Sequence, residues 1–125
     1  MNSIQFNNNK INFKATPDEI KSIQKACFNL ANSPAKNNHK VSVDVAEIGN
    51  KAYISTLNKG GQSLVKIELK NDKGANAYTM LKTGTPEATK KFFNMPKSIE
   101  KIADIIDDLK ETVKKTTAAD FYTDF

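Results

Sequence analysis

Few side chains in this sequence are suited to acid–base or covalent chemistry, and their spacing gives them little to work with. His39 is the single histidine and lies in a polar run, Asn37-Asn38-His39-Lys40, ahead of the first apolar alternation. An imidazole moves protons usefully only against a positioned partner, and none is marked, so it reads as a surface-loop histidine. Serine–histidine–aspartate chemistry would have to be assembled from unmarked serines. Asp107-Asp108 is a carboxylate pair, but it falls on the polar side of an amphipathic helix, where charge belongs. Asp44 and Glu47 belong to a strand whose side chains alternate, so they do not converge. Cys27 is alone, which excludes an internal disulfide and a cysteine metal cluster. It falls on the apolar stripe of a helix and reads as a small buried hydrophobe. Lys59-Gly60-Gly61-Gln62 is glycine-rich but lacks the spacing and the following helix of a phosphate-binding loop. No catalytic residue, no metal site and no cofactor is assigned on these grounds. An enzyme is therefore the least favoured reading.

Charge is the next candidate signal. The net charge is +5, and all 19 basic residues are lysine. Residues 1–97 hold 15 lysines against 7 carboxylates, and residues 98–125 hold 4 against 7. Lysines neutralise phosphates, but arginine, the usual bidentate reader of guanine and phosphate, is absent. Abundant Lys, Asn and Ile are also what an AT-rich coding genome produces, such as those of some bacteria and phages. No apolar run approaches the roughly 20 residues that span a bilayer, so no membrane role is expected. Met1-Asn2-Ser3 opens a polar segment without the basic start and apolar stretch of a secretory signal. With one cysteine, that suggests a cytoplasmic protein.

Whatever the chain does must be positioned by residues 40–82. Four short runs there alternate apolar and polar residues between turn signals, the pattern of an antiparallel meander. Gly49-Asn50 suits a two-residue hairpin loop, which predicts Val45 opposite Ile54 and Val43 opposite Thr56. Gly60-Gly61 suits a second, placing Thr56 opposite Val65, Ile54 opposite Ile67 and Ala52 opposite Leu69. Asn71-Asp72-Lys73-Gly74 suits a type I turn closed by a left-handed glycine. It sets Leu69 opposite Ala77, Ile67 opposite Thr79 and Val65 opposite Leu81. One face then collects Val41, Val43, Val45, Ile54, Val65, Ile67, Leu69 and Leu81. The other is mixed: Tyr53, Glu68 and Tyr78 form one row, Ser55, Lys66 and Met80 the next, with Leu57 beside Leu64.

The flanks supply cover for the aliphatic face. Thr16-Pro17-Asp18-Glu19 is a capping box with proline at the first helical position, and Ile20, Ile23, Cys27 and Leu30 follow at helical spacing. That helix stops near Asn32-Ser33-Pro34. Thr85-Pro86-Glu87 starts a short helix over 86–93. Pro96 opens a third, whose stripe Ile99, Ile102, Ile106, Leu109, Val113 continues to residue 115. Little more than two heptads are present, too few for a coiled coil, so this stripe is expected to pack on the sheet. Residues 10–14 read as an edge strand, and 1–9 and 116–125 as loose ends.

The chain is thus predicted to be a single α+β domain. A four- to five-stranded antiparallel meander carries an N-terminal and a long C-terminal helix on one face, in a two-layer sandwich. The element order, strand–helix–meander, is similar to a cystatin-like arrangement with an added C-terminal helix. The Gln-x-Val-x-Gly hairpin of cystatin-type inhibitors is replaced by Gln62-Ser63-Leu64-Val65-Lys66, and tryptophan is absent, so protease inhibition is not implied. Tyr, Leu and Met on the second sheet face resemble the centre of an interaction patch. The leading expectation is a protein-interaction module contacting an unidentified protein through Tyr53, Leu57, Leu64, Lys66, Glu68, Tyr78 and Met80. The alternative is a lysine-dependent nucleic-acid-binding protein, and behind it a small enzyme of unknown class. A monomer or weak dimer is expected.

Overall fold

A computed structural model describes residues 15–46 and 51–115. The element order is α1 (Pro17–Ala31), β1 (His39–Asp44), β2 (Lys51–Lys59), β3 (Gln62–Lys70), β4 (Asn76–Gly84), α2 (Pro86–Phe93) and α3 (Pro96–Lys115). The strands form one antiparallel sheet in sequential order, β1-β2-β3-β4. The N-terminal helix and the long C-terminal helix pack on it, giving the α+β architecture read from the pattern. Four strands are present among the described residues. The strand expected at 10–14 and the ends 1–9 and 116–125 lie outside them.

Local chemistry explains where the helices begin. The Thr16 hydroxyl accepts from Glu19 N–H at 3.1 Å, and Glu19 Oε1 accepts from Thr16 N–H at 2.9 Å. Two donors left unpaired at the helix start are therefore satisfied reciprocally. Thr85 caps α2 by accepting from Ala88 N–H at 3.1 Å, and proline follows each cap.

Two of the three strand connections form as their residues dictate. Lys59 pairs with Gln62, and Gly60 and Gly61 adopt φ of 61° and 79°, the two left-handed residues of a tight primed turn. Thr56–Val65, Ile54–Ile67 and Ala52–Leu69 pair as predicted, as do Leu69–Ala77, Ile67–Thr79 and Val65–Leu81. In the β3–β4 turn, Asn71 Oδ1 accepts from Lys73 N–H and Ala75 N–H at 3.0 and 2.9 Å. Its Nδ2 donates to the Val113 carbonyl at 3.0 Å, fastening the turn to the end of α3.

The first connection differs. Val41, not Val45, pairs with Ile54, and Val43 pairs with Ala52 rather than Thr56. The last pair of the ladder is Asp44–Lys51, which excludes the register that a two-residue loop at Gly49-Asn50 would impose. The cause lies in α1. Asp44 N–H donates to Ser22 Oγ at 2.8 Å, and Ala46 N–H donates to Glu19 Oε2 at 3.2 Å. The chain is drawn off the ladder toward the helix, and Val45 is buried there. The register moves by four residues, an even number, so every side chain keeps its face.

The core lies between the sheet and the three helices. Val43, Ile54, Val65, Ile67 and Leu69 from the strands meet Ile23 and Leu30 of α1 and Ile102 and Val113 of α3. Each of these is nearly or completely inaccessible to solvent. Ala52 and Ala77, also buried, keep the sheet low at one end so that a helix can approach. Val41 and Leu81, on the two edge strands, are half-buried against the same cluster. The α3 stripe is therefore spent on the sheet and on α1 and α2.

Candidate functional site

The reactive side chains are each accounted for by structure. Cys27 is buried in the core, and burial pushes its thiol up to about 11, leaving little thiolate at neutral pH. His39 is the first residue of β1, not a loop residue as expected. Its N–H donates to Thr56 Oγ1 at 3.0 Å, and its ring Nδ1 lies 3.1 Å from the Asn37 carbonyl oxygen. A backbone carbonyl against the ring makes no proton relay. Among the described residues, no group of three or more His, Cys, Asp or Glu is placed to hold a metal ion. No described helix is long and apolar enough to cross a membrane.

Two buried polar clusters were not foreseen. Glu19 and Lys110 are 3% and 4% exposed, and Lys110 Nζ lies 2.9 Å from Glu19 Oε2. Asp107 Oδ1 lies 3.7 Å from the same ammonium. Burial alone would raise the Glu19 carboxyl. The Lys110 ammonium and the Thr16 and Ala46 amides outweigh it and hold the carboxyl below its ordinary value. Glu19 thus caps α1, binds the β1–β2 connection and pairs with α3. The second cluster is hydroxylic. One extra β4 residue, Thr83, opposes the Ser63–Leu64 step as a β-bulge, and a bulge re-aims a side chain. Thr83 Oγ1 donates to the Ser63 carbonyl at 3.0 Å and bonds Thr89 Oγ1. Thr89 Oγ1 also reaches Ser63 Oγ at 2.7 Å. These hydroxyls join α2 to the sheet, and no base stands among the partners described.

Two clefts flank these clusters. One of about 510 Å³ runs between α1 and the end of β1, past Ser22, Lys25 and Asp44. Its buried carboxylate, Glu19, is already engaged by Lys110. The other, about 390 Å³, lies between the Gly60-Gly61 turn and the start of α2, with Lys36, Lys59 and Glu87 on its walls. Opposed charges and a helix start already capped by Thr85 leave it without a defined ligand chemistry.

The outer face of the sheet is different. The strand pairings set Ser42, Tyr53, Glu68 and Tyr78 in one row across all four strands. The next row is Lys40, Ser55, Lys66 and Met80, and beyond it lie Leu57, Leu64 and Lys82. All seven residues singled out from the sequence therefore share this face in the predicted order. Tyr78 is 56% and Met80 47% exposed, while Tyr53, Leu57, Leu64, Lys66 and Glu68 are half-buried by their neighbours on the face. Among the described residues, the helices bury the opposite face.

The face carries a repeated device. Lys40 Nζ sits 4.6 Å from the centroid of the Tyr53 ring, and Lys66 Nζ sits 4.7 Å from that of Tyr78. In both, the lysine lies on the preceding strand, two residues before the one opposite the tyrosine. Diagonal neighbours of this kind are within reach of long side chains, and an ammonium over an aromatic ring is attracted by its quadrupole. Lys66 Nζ also lies 4.0 Å from Glu68 Oε1.

Strand alternation further sorts the charge. Lys40, Lys51, Lys59, Lys66, Lys70 and Lys82 all fall on outer-face positions, against Asp44 and Glu68. These lysines are spread along the strands but share one side. The signal was available in their even spacing from Tyr53, Leu64 and Tyr78.

Compared with models of protein families, with curated proteins and with solved structures, the chain matches none.

Proposed function

We propose that this protein is a non-enzymatic binding module that engages its partner through the outer face of the sheet. The carrying observation is the asymmetry of the sheet. Among the described residues, the three helices cover one side, while the other leaves Tyr78 and Met80 about half exposed within a patch that includes Tyr53, Leu57 and Leu64. An antiparallel sheet tolerates water on one face, but a solvated face has no need of two tyrosines, two leucines and a methionine. The lack of a relay partner for His39 and the buried state of Cys27 favour binding over catalysis. A location in the cytoplasm and a monomeric or weakly dimeric state belong to the same reading.

The test is capture from a native lysate with the wild type and with a Tyr53→Ala/Tyr78→Ala variant, alongside thermal melts of both. The variant is expected to lose captured material while melting within a few degrees of the wild type. Equal capture by both proteins removes the reading. The concentration of lysine on this same face favours a negatively charged partner over an uncharged one.

A further inference from the structure

Resting on that reading of the outer face, we propose that its ligand is single-stranded nucleic acid, gripped by lysines and stacked on Tyr53 and Tyr78. Charge complementarity carries the choice. Six lysines face two carboxylates on this side of the sheet, close to the whole net charge of +5. Protein interfaces are depleted in lysine and rely on apolar centres. Surfaces that hold single strands combine a positive track for the backbone with aromatic rings on which bases stack.

The layout suits that division of labour. The tyrosine row lies between two lysine rows. Lys40 and Lys66 stand on one side, and Lys51 and Lys70 stand on the other, one step beyond the Ala52–Leu69 pair. Along the backbone, each lysine row lies about 6.7 Å from the tyrosine row, two residues of strand rise. A base stacking on Tyr53 or Tyr78 displaces the ammonium now over that ring and frees it for the adjoining phosphate. Glu68, between the two rings in the row, repels phosphate. It keeps the backbone on the lysine rows and offers an acceptor to base amino groups.

Duplex is disfavoured by width. The axes of four strands about 4.8 Å apart span about 14 Å before side chains are added. The major groove of B-form DNA, about 12 Å wide, admits a helix or a two-stranded ribbon. A flexible single strand has no such limit.

Fluorescence anisotropy with labelled oligo-dT and oligo-U, a DNA duplex and labelled poly-glutamate, each at two salt concentrations, tests the proposal. Both single strands are expected to bind more tightly than duplex and poly-glutamate. The log–log salt slope is expected to be about −0.7 per phosphate neutralised. Tyr53→Ala and Tyr78→Ala are each expected to weaken binding about 5- to 150-fold. Lys51→Gln/Lys70→Gln is expected to shorten the salt slope by about 1.4. Melting temperatures of every variant separate lost binding from lost fold. Absence of single-strand binding at low salt overturns the proposal, as does binding that the outer-face variants leave intact or that poly-glutamate matches. If single strands fail while lysate capture still depends on Tyr53 and Tyr78, the face binds an acidic protein, and only the nucleic-acid assignment falls. If capture also ignores those tyrosines, the outer-face reading falls with it.

Discussion

The two sides of this sheet come from the same four strands, residue by alternate residue, yet they handle charge in opposite ways. Toward the helices the strands are mostly aliphatic, and several of the polar groups among them bond to hydroxyls or backbone. Ser63, for instance, is 1% exposed and bonded to Thr89. Lys110, which lies with the helices beneath that side, is held by Glu19 at 2.9 Å. On the other side, lysines are numerous and wet, and two of them rest on tyrosine rings. A lysine beneath the sheet acts as a structural fastener, whereas one above it is available to a ligand. Residue type alone does not distinguish them; burial and partner do.

The contrast is sharpest between two lysines. Lys110→Ala leaves the Glu19 carboxylate buried without its main counter-charge, and removing one partner of a buried pair costs about 3–5 kcal/mol. Lys66→Ala removes a half-buried side chain whose contact with the Tyr78 ring is worth about 0.5–1 kcal/mol. Urea midpoints of the two variants are expected to differ accordingly, and equal midpoints would erase the distinction. A second pair compares the faces directly. Ile67→Ala on the helix side is expected to cost about 2–5 kcal/mol, through lost burial and a residual cavity. Tyr78→Ala, on the open side, removes cross-strand contacts worth about 0.2–1 kcal/mol. Denaturant melts of these two report whether the alternation is as strict as the pairing implies.

A smaller effect is expected from pH. The folded Glu19 carboxyl lies below its ordinary value, so the unfolded chain binds protons more readily in that window. Stability then rises with pH there. The contribution is complete above the unfolded value, about 4.3, and is lost as pH falls through the folded one. Glu19→Gln is expected to flatten this part of the stability–pH curve, and an unchanged slope would remove Glu19 as its source.

Much of the architecture was readable from short-range chemistry. Thr16, Pro17 and Glu19 announce α1, and Gly60-Gly61 and Asn71–Gly74 dictate their turns, because each depends on neighbours within four residues. The first turn was misread because Gly49-Asn50 is locally a good hairpin. Ser22 and Glu19, more than twenty residues upstream, take the amides of Asp44 and Ala46 instead. The two faces survived that error because the shift was even. The Glu19–Lys110 pair was invisible for the same reason as the turn. Nothing in the amphipathic pattern of α3 marks Lys110 as buried, although it stands seven residues after the buried Ala103. The outer row of Tyr53, Glu68 and Tyr78 was legible, since two correctly read turns set its register. The shared side of the lysines was equally implied, but it emerges only when all four strands are aligned together.

Glu19 works as a knot. A single carboxylate holds the first turn of α1, the amide of Ala46 after β1 and the last turns of α3, segments far apart along the chain. Melting the start of α1 or the last turns of α3 alone would part the buried Glu19–Lys110 pair, so neither has an easy route to fray by itself. The two ends of the described fold are thereby made to open and close in concert, and the outer face rests on a base that does not loosen piecemeal.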